Sequence, residues 1–587
     1  MTFSLELGKY TMSEILLVAV NACYNHTNLA IRSISQYISD KNVSFGEWTI
    51  NQPEGDILRG IAESEPKLII FSTYIWNIEL IQKIIVDLKK VLPDCIIGAG
   101  GPEAGYSAGF YLKKLKELDF IVFGEGEETT KEVAEAFLSN PEFKKNPYNE
   151  LRKIPGLYIP VRDDENSSAQ IEFTGERPLL CSLDEIPFAY PQITDPDNRI
   201  YYYESSRGCP FTCAYCMSSL DKKVRFISLE RTFKDIQRFL DAGVRLVKFV
   251  DRTFNLNEER YIAIWEYILS HHNGKTMFHF EIEAEFLTDK ALDFLQNVPA
   301  GIMQFEIGVQ SSNRETLKAV GRSENTEKLA YNIKRIPKTI HSHLDLIAGL
   351  PYENLEIFGK SFDYVMDFKP DALQLGFLKV LHGTQMEAYS QKNGWKWMEN
   401  PPYETLCTPY LSYRDILFLK DVEKLVDAYW NKGSFETTMN YIFAKLSPWE
   451  FFCSFVNCGR KEGAFVQPRK EQYWFEFIAR LFKREEFSGF DCKTALELLR
   501  FDFVKQGKKG GFPEWYDHHY DKEAHRTALE QNGALDNTRI AFSYSEYEEF
   551  AVNPFAPDQK NDSGTFKFLF FYPRGNCDST GYRQILL

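Results

Sequence analysis

Apolar runs of strand length alternate with amphipathic stretches along the first quarter of the chain. Residues 15–20 are uninterrupted apolar positions, and Leu29, Ile31, Ile34 and Ile38 then recur on one helical face. The succession repeats. Residues 68–72 read as a second strand, followed by a helical stripe of Ile78, Ile81, Ile84, Ile85 and Leu88. Residues 95–99 read as a third, ending in Gly100-Gly101-Pro102, and residues 120–123 as a fourth, ending in Gly124-Glu125-Gly126-Glu127. Such alternation predicts a parallel sheet clothed by helices on both faces, with a ligand crevice at the carboxyl ends of the strands.

Beyond residue 145 the pattern changes. Residues 146–200 are polar and contain proline, and two short runs, 156–161 and 170–173, suit a hairpin. This stretch is expected to be an interdomain linker packed on its neighbours. From 201 to 385 the alternation returns, with six strands near 201–205, 245–251, 277–285, 302–310, 343–350 and 373–381. Helical patterns such as 229–240 and 258–270 separate them. Six βα units in a row predict a partial (β/α)6 barrel. Residues 386–587 lose the alternation: aromatic-rich helical segments dominate, and two strand-like runs, 539–544 and 566–572, are expected to pair. The fold class is therefore α/β. It comprises a Rossmann-like domain over 1–145, a linker with a hairpin over 146–200, a partial TIM barrel over 201–385 and a mostly helical domain over 386–587.

The barrel strands also assign their own faces. In 277–285, His279, Glu281, Glu283 and Glu285 share one face, with Phe278, Phe280, Ile282 and Ala284 on the other. In 302–310, Gln304, Glu306, Gly308 and Gln310 lie opposite Phe305, Ile307 and Val309, and the fifth strand places His343, Asp345 and Gly349 together. The apolar face must meet the outer helices, so the polar face points into the barrel. A dry interior lined with carboxylates is costly, whereas a wet one that holds a charged ligand is not. Asp251, Glu283, Glu285, Gln310, Gly349 and Lys379 fall at carboxyl strand ends, where barrel sites form.

Composition narrows the class. Of 587 residues, 44% are hydrophobic and 26% charged, which supports several cores and rules out wholesale disorder. The formal charge of -15 and pI near 5.4 speak against a long-range electrostatic grip on nucleic acid, leaving room only for a local basic groove. The N-terminal residues lack the basic stretch, apolar core and cleavage site of a secretory signal, and no run of about 18 apolar residues occurs. The 11 cysteines, an odd number thinly spread, do not form a secreted disulfide framework. A cytoplasmic, reducing setting without membrane attachment is expected, and there clustered cysteines act as ligands or catalytic thiols.

One cluster stands out. Cys209, Cys213 and Cys216 follow one another at spacings of four and three in Ser205-Ser206-Arg207-Gly208-Cys209-Pro210-Phe211-Thr212-Cys213-Ala214-Tyr215-Cys216, just past the first barrel strand. A loop of this spacing can aim three thiolates at one centre. A closed zinc site and a ferredoxin cluster each take four protein ligands. Three thiolates on a [4Fe-4S] cluster leave one iron open to a substrate, and Tyr215 sets an aromatic ring beside it. A zinc knuckle with a remote fourth ligand, or buried free cysteines, are the plainer alternatives. The Gly-Cys-Pro lead-in and the carboxyl strand end favour the cluster.

With Cys209, Tyr215 and Cys216 in register, this stretch resembles the radical S-adenosylmethionine (SAM) superfamily, whose motif is Cys-x-x-x-Cys-x-x-Cys with an aromatic before the last cysteine. The resemblance covers about residues 200–382. It implies that SAM chelates the open iron, and that one electron cleaves it to methionine and a deoxyadenosyl radical that abstracts hydrogen. It further implies Glu283 or Glu285 at the methionine amino group, Gln310 at the ribose and Gly349-Leu350-Pro351 against the adenine. A structural hydrogen bond inside the barrel is the plain alternative for each.

The first domain resembles the cobalamin-binding domain found ahead of many radical SAM enzymes. The resemblance rests on Ser72-Thr73-Tyr74-Ile75-Trp76-Asn77, Gly100-Gly101-Pro102-Glu103 and Gly124-Glu125-Gly126-Glu127. Paired glycines let backbone amides approach a nucleotide tail, and a Ser-Thr pair can hydrogen-bond it. The Asp-x-His-x-x-Gly motif of domains that ligate cobalt through histidine is missing. His26 stands in that loop without the Asp or the Gly, and is expected to pack or hydrogen-bond there. Residues 386–587 resemble a C-terminal domain carried by one branch of these proteins, on 381–386, Pro401-Pro402-Tyr403-Glu404 and Trp430-Asn431-Lys432-Gly433. The strand end 248–255, with Asp251, fits that branch too.

Weaker features have bland readings. Cys407, Cys453, Cys458 and Cys492 lack tight ligand spacing and read as small buried hydrophobes. His518-His519 and His525 read as a solvated helix end, and 507–511 as a basic turn rather than a phosphate loop. The expectation is a cobalamin-dependent radical SAM enzyme using a [4Fe-4S] cluster, SAM and cobalamin. It would transfer a methyl group to an unactivated carbon of a small-molecule or peptide substrate, fed by a flavodoxin- or ferredoxin-type reductant. The alternatives are cobalamin-dependent redox or rearrangement chemistry without methyl transfer, and a cobalamin- or SAM-binding module without turnover. A methylthiotransferase is disfavoured: that family has three ligand cysteines in its N-terminal domain, whereas only Cys23 and Cys95 precede residue 150.

Overall fold

The computed structural model of the chain describes residues 13–161, 170–507, 511–532, 538–558, 564–572 and 583–586. The first sheet has seven strands in the order β2-β1-β3-β4-β5-β6-β7. They are β1 (Ile15–Asn21), β2 (Val43–Thr49), β3 (Leu68–Ser72), β4 (Ile96–Gly100), β5 (Phe120–Val122), β6 (Leu157–Val161) and β7 (Gln170–Phe173). The first five run parallel, and two separate apolar clusters cover the two faces, as a sheet of buried parallel strands requires.

Two features differ from expectation. The second strand in the chain is β2, at the sheet edge, rather than 68–72. Its run is broken by Gly46 and Glu47, and Glu47 binds the Arg32 guanidinium at 2.5 Å, so apolar patterning hides it. The expected linker hairpin is instead part of this sheet. β6 pairs antiparallel with β5 (Val122 opposite Leu157) and carries β7 on its far side, so the first domain reaches Phe173.

The second sheet is the partial barrel, in the order β15-β14-β13-β12-β11-β8. Its strands are β8 (Ile200–Tyr203), β11 (Leu246–Phe249), β12 (Met277–Ile282), β13 (Met303–Gln310), β14 (His341–Ala348) and β15 (Ala372–Phe377), all parallel. Between the first two, β9 (Ser206–Arg207) and β10 (Arg225–Phe226) pair antiparallel and close the loop that carries the cysteines. Phe278, Phe280, Phe305 and Ile307 are fully buried outside the barrel, with Trp265 stacked on Phe305 at 5.5 Å. The polar faces point inward, as expected.

An open barrel leaves two strand edges, and both are covered. On β8, the Ile200 carbonyl accepts from Thr27 Oγ1 of the first domain (2.9 Å), and His26 bridges the same residue. On β15, the Asn431 side chain accepts from Leu373 N (2.8 Å) and donates to Leu373 O (3.0 Å), standing in for a neighbouring strand.

The C-terminal region is mostly helical and shares one continuous apolar core with the barrel. Its strands are β16 (Lys396–Trp397) paired with β17 (Thr405–Cys407), and an antiparallel sheet of β18 (Ser545–Phe550), β19 (Phe566–Phe571) and β20 (Arg583–Leu586). The expected pair is thus corrected to three strands. Residues 539–544 fall mostly in the helix Thr538–Ser543, and β19 pairs with Ser545–Phe550. Glu546, Glu548 and Glu549 mask β18 from a hydrophobicity reading. Among the described residues no helix is long and apolar enough to cross a membrane.

Candidate active site

The cysteine loop is tied down from every side. Gly208 adopts φ +94°, and a Cβ there would meet the Lys223 carbonyl oxygen at 2.5 Å, so glycine is required. Cys209 N donates to Asp221 O (2.8 Å), and Cys216 N to Cys213 O (3.0 Å). Ala214 is held on both sides, its N–H on Val320 O and its carbonyl on Met386 N, each 2.9 Å. Cys209 is buried and the other two are half-buried, with all three thiols free and mutually influencing. Burial pushes the Cys213 thiol up, and the Arg322 guanidinium at 3.9 Å from its sulfur draws it back toward thiolate.

Arg322 is the site residue that sequence reasoning missed. Its Nη2 donates to Glu283 Oε2 (2.8 Å) and to the Gly308 carbonyl (2.6 Å). It thus links the cysteine loop to β12 and β13. Burial opposes its charge, but Tyr215, Glu283 and Cys213 together hold it firmly protonated. The only local signal was a Gly-Arg step after the fourth barrel strand. Gly321, at φ +70°, packs where a Cβ would meet the Thr212 carbonyl at 2.8 Å.

The expected SAM-side residues fall into place unequally. Glu283 and Glu285 share a cleft with Ser311, Arg322 and Asn325. Gln310 is held at φ +67°, a left-handed conformation costly for a side-chain-bearing residue, where β13 bulges. Its Nε2 lies where a Cβ on Gly308 would sit, and its buried Oε1 has no partner. Gly349 adopts φ +96°, and a Cβ there would stand 3.6 Å from the Leu378 and Thr405 side chains. Asp251 has a different occupation: its oxygens accept from Ser205 N (2.7 Å), Ser205 Oγ (2.6 Å) and Ser206 Oγ (2.8 Å), anchoring the start of the cysteine loop. Burial raises its pKa to about 6 against those hydrogen bonds.

The barrel interior holds a dense set of titratable groups. His279 Nε2 sits 3.0 Å from Glu306 Oε2, and Gln304 Nε2 3.0 Å from His343 Nε2. Burial lifts Glu281 to about 7, raises Asp345 strongly and depresses His343 to about 4. Asp345 Oδ1 and His279 Nδ1 are buried without partners. Buried polar atoms in a folded protein are nearly always satisfied, so orphans on one inner wall mark a place for a polar ligand.

In the first domain, Ser72, Thr73, Gly100, Gly101, Pro102 and Glu103 come together at the ends of β3 and β4. Thr73 Oγ1 donates to Gly100 O (2.8 Å) and accepts from Ala104 N (3.0 Å). Gly101 has φ +101°, and a Cβ there would meet the Thr73 carbonyl at 2.6 Å. Tyr74 stacks on the half-exposed Trp76 (4.2 Å) and lies within the electrostatic reach of Arg252, which follows β11.

Gly124 and Gly126 frame a loop committed to the barrel. Glu125 binds Arg225 (2.6 Å) and Arg207 (3.1 Å), and Glu127 binds Arg207 (2.7 Å), so the loop grips the cysteine hairpin. Glu103 is buried and accepts from Tyr111 (2.6 Å) and from Tyr403 of the C-terminal region. His26 Nδ1 is 3.0 Å from the Tyr202 hydroxyl, the loop hydrogen bond expected of it.

Comparison with known proteins agrees with this layout. Residues 15–134 match the B12 binding domain, residues 203–365 the Radical SAM superfamily, and residues 391–553 a protein of unknown function (DUF4080). The chain therefore carries a B12 binding domain, a radical SAM domain and a C-terminal domain of the DUF4080 type. Among curated relatives, an uncharacterized methyltransferase, PH0819 of Pyrococcus horikoshii, is 24% identical over 52% of this chain and 65% of its own length. The cobalamin-dependent radical SAM methyltransferase TokK of Streptomyces tokunonensis is 25% identical over 52% of this chain and 45% of its own. The matched stretch is less than two-thirds of either relative. The solved structure of OxsB, a cobalamin-dependent SAM radical enzyme with aqua-cobalamin and SAM bound, shares the fold. Its TM-score is 0.56 and its identity 16%, covering 90% of this chain and 82% of that one.

The residues here fit those groups. Three thiols lie within electrostatic reach of one another beside a guanidinium, orphaned polar atoms belong to the inward-facing barrel residues, and a close-packed glycine turn ends the central strand β4.

Proposed function

We propose that the protein is a cobalamin-dependent radical SAM enzyme that methylates an unactivated carbon of a small molecule or peptide held inside the partial barrel. The observation that carries this reading is that Arg322 joins the cysteine loop (Cys213 Sγ, 3.9 Å) to Glu283 at the end of β12 (2.8 Å), while Tyr74 of the first domain lies within the electrostatic reach of Arg252 past β11. When bound, the cluster, SAM and cobalamin supply reductive SAM cleavage, hydrogen abstraction and a transferable methyl group.

The chain's own residues bind, orient and exclude water. Cys209, Cys213 and Cys216 would hold the cluster, with Arg322 offsetting their charge. Glu283 and Glu285 offer carboxylates to a cationic amino group, and the orphaned Gln310 Oε1 accepts from a hydroxyl. Asp345, kept protonated by burial, and Glu281, which is about half protonated near neutral pH, can donate hydrogen bonds to a polar substrate. Tyr215, Leu350 and Trp395 belong to an apolar patch that keeps the cysteine side dry. A one-electron donor of the flavodoxin or ferredoxin type would feed the cluster.

The test is anaerobic reconstitution followed by incubation with a reductant and SAM carrying a deuterated methyl group. Label in a product supports methyl transfer; turnover with all label left in methionine replaces it with redox or rearrangement chemistry. Absence of both a [4Fe-4S] EPR signal and SAM cleavage ends the radical SAM reading.

A further inference from the structure

The C-terminal sheet contains a ligand set unconnected with the barrel. Glu546 and Glu548 are two residues apart on β18, so the pleat sends both to one face, and both are almost completely buried. The segment entering the helix Lys522–Gln531 lays His518 across them. His518 Nε2 is 2.9 Å from Glu548 Oε1 and 3.4 Å from Glu546 Oε1, and the three ligand atoms lie within 4.8 Å of one another. The expectation of a solvated helix end is corrected here. His518 stacks on Phe512 (3.8 Å), while His525 is buried with Nε2 2.8 Å from Ser545 Oγ.

We propose that His518, Glu546 and Glu548 form a divalent metal site that takes a borderline ion such as Zn2+, Fe2+ or Mn2+. Two observations carry it. First, Glu548 Oε1 is fully buried, yet neither it nor His518 Nε2 has a partner in hydrogen-bonding geometry despite their close approach. The two atoms face each other as ligands of a common centre do. Second, their spacing fits. Ligands about 2.0–2.2 Å from one ion stand roughly 2.8–3.1 Å apart in octahedral and roughly 3.3–3.6 Å apart in tetrahedral geometry. The 2.9 and 3.4 Å separations fall in those ranges. The buried Arg500 guanidinium is shared between Glu497 (2.9 and 3.0 Å) and Glu548 Oε2 (3.1 Å).

Arg500 also orients Glu548, turning Oε1 toward His518, as an outer partner orients a metal-binding carboxylate. One imidazole and two carboxylates suit zinc, iron or manganese better than copper(I). Three protein ligands leave at least one position for water, and the partly exposed His518 gives access.

The test uses the full chain with its cluster reconstituted, dialysed against Zn2+ and then metal-free buffer, with zinc counted by mass spectrometry. One zinc per chain is expected, and Co2+ loading should give visible bands without thiolate-to-cobalt charge transfer. His518→Ala, altering a partly exposed side chain, should lower zinc affinity at least 30-fold with an unchanged circular dichroism spectrum. Glu548→Gln should do the same, and if it fails to fold, His518→Ala decides. No stoichiometric zinc in the parent, undiminished zinc in His518→Ala, or a thiolate-type cobalt spectrum each overturns the site. None of these readouts involves SAM cleavage, so the outcome is independent of the proposed function.

Discussion

Glu353, just past the Gly349-Leu350-Pro351 turn, shows how burial writes a pH dependence into one residue. It is fully buried; Oε1 accepts from Ser311 (2.6 Å) and Ser361 (3.1 Å), while Oε2 has no partner. Burial raises its pKa from 4.5 to about 7. The folded protein therefore binds this proton more tightly than the unfolded chain does. The cost of its charge is absent below about pH 4.5, grows up to about pH 7 and is constant above, reaching roughly 3 kcal/mol. Glu353→Gln keeps the acceptor and cannot ionise, but its new N–H lacks an acceptor, at about 1–2 kcal/mol. The variant should be more stable than the parent by about 1 kcal/mol at pH 8 and less stable by a similar amount at pH 4.5. Urea denaturation at both pH values reads this, and a difference of one sign throughout would refute it. At this scale the cysteine triplet was legible because its ligands are neighbours in sequence. Arg322 was not, because its importance comes from Glu283 and Cys213, 39 and 109 residues away.

At the scale of the element, two glycines on successive strand ends make opposite predictions. Gly101, at φ +101°, packs on the Thr73 carbonyl; Gly124, at φ +78°, has no atom within 4 Å of where a Cβ would stand. Gly101→Ala adds a clash to backbone strain and should cost about 3 kcal/mol or more, and should deplete the cobalamin retained on gel filtration, read by absorbance. Gly124→Ala carries the backbone penalty alone, about 1 kcal/mol, with cobalamin retained. Equal effects would show that the two turns do not differ as described. The barrel strands were readable for the same local reason: in β12 and β13 a strict two-residue alternation separates the outer face from the inner. β18 was not, since Glu546 and Glu548 face inward where apolar residues are normally found.

Across the whole molecule, the Leu378–Cys407 stretch clamps three parts together. Thr405 N bonds Leu378 O (2.9 Å), Met386 N holds the cysteine loop through Ala214 O, and Tyr403 reaches Glu103 beside the glycine turn. Tyr403→Phe leaves the buried Glu103 carboxylate with the Tyr111 hydroxyl alone and should cost about 1.5–3 kcal/mol. Hydrogen exchange should quicken in residues 102–114 and 378–407, and cobalamin affinity should fall several-fold with cluster content unchanged. Unaltered exchange in 102–114 would mean that the phenol does not join the two regions.

Strand periodicity, glycine turns and the cysteine spacing made the α/β plan and the candidate cysteine ligands legible, because each depends on residues within a few positions of one another. The tertiary structure alone decided that the hairpin finishes the first sheet, that Asn431 and His26 close the barrel edges and that Glu125 and Glu127 grip the cysteine hairpin. It alone set His518 against β18. These contacts join residues distant along the chain, and whether a polar side chain is satisfied or orphaned depends on what folding brings to it from elsewhere.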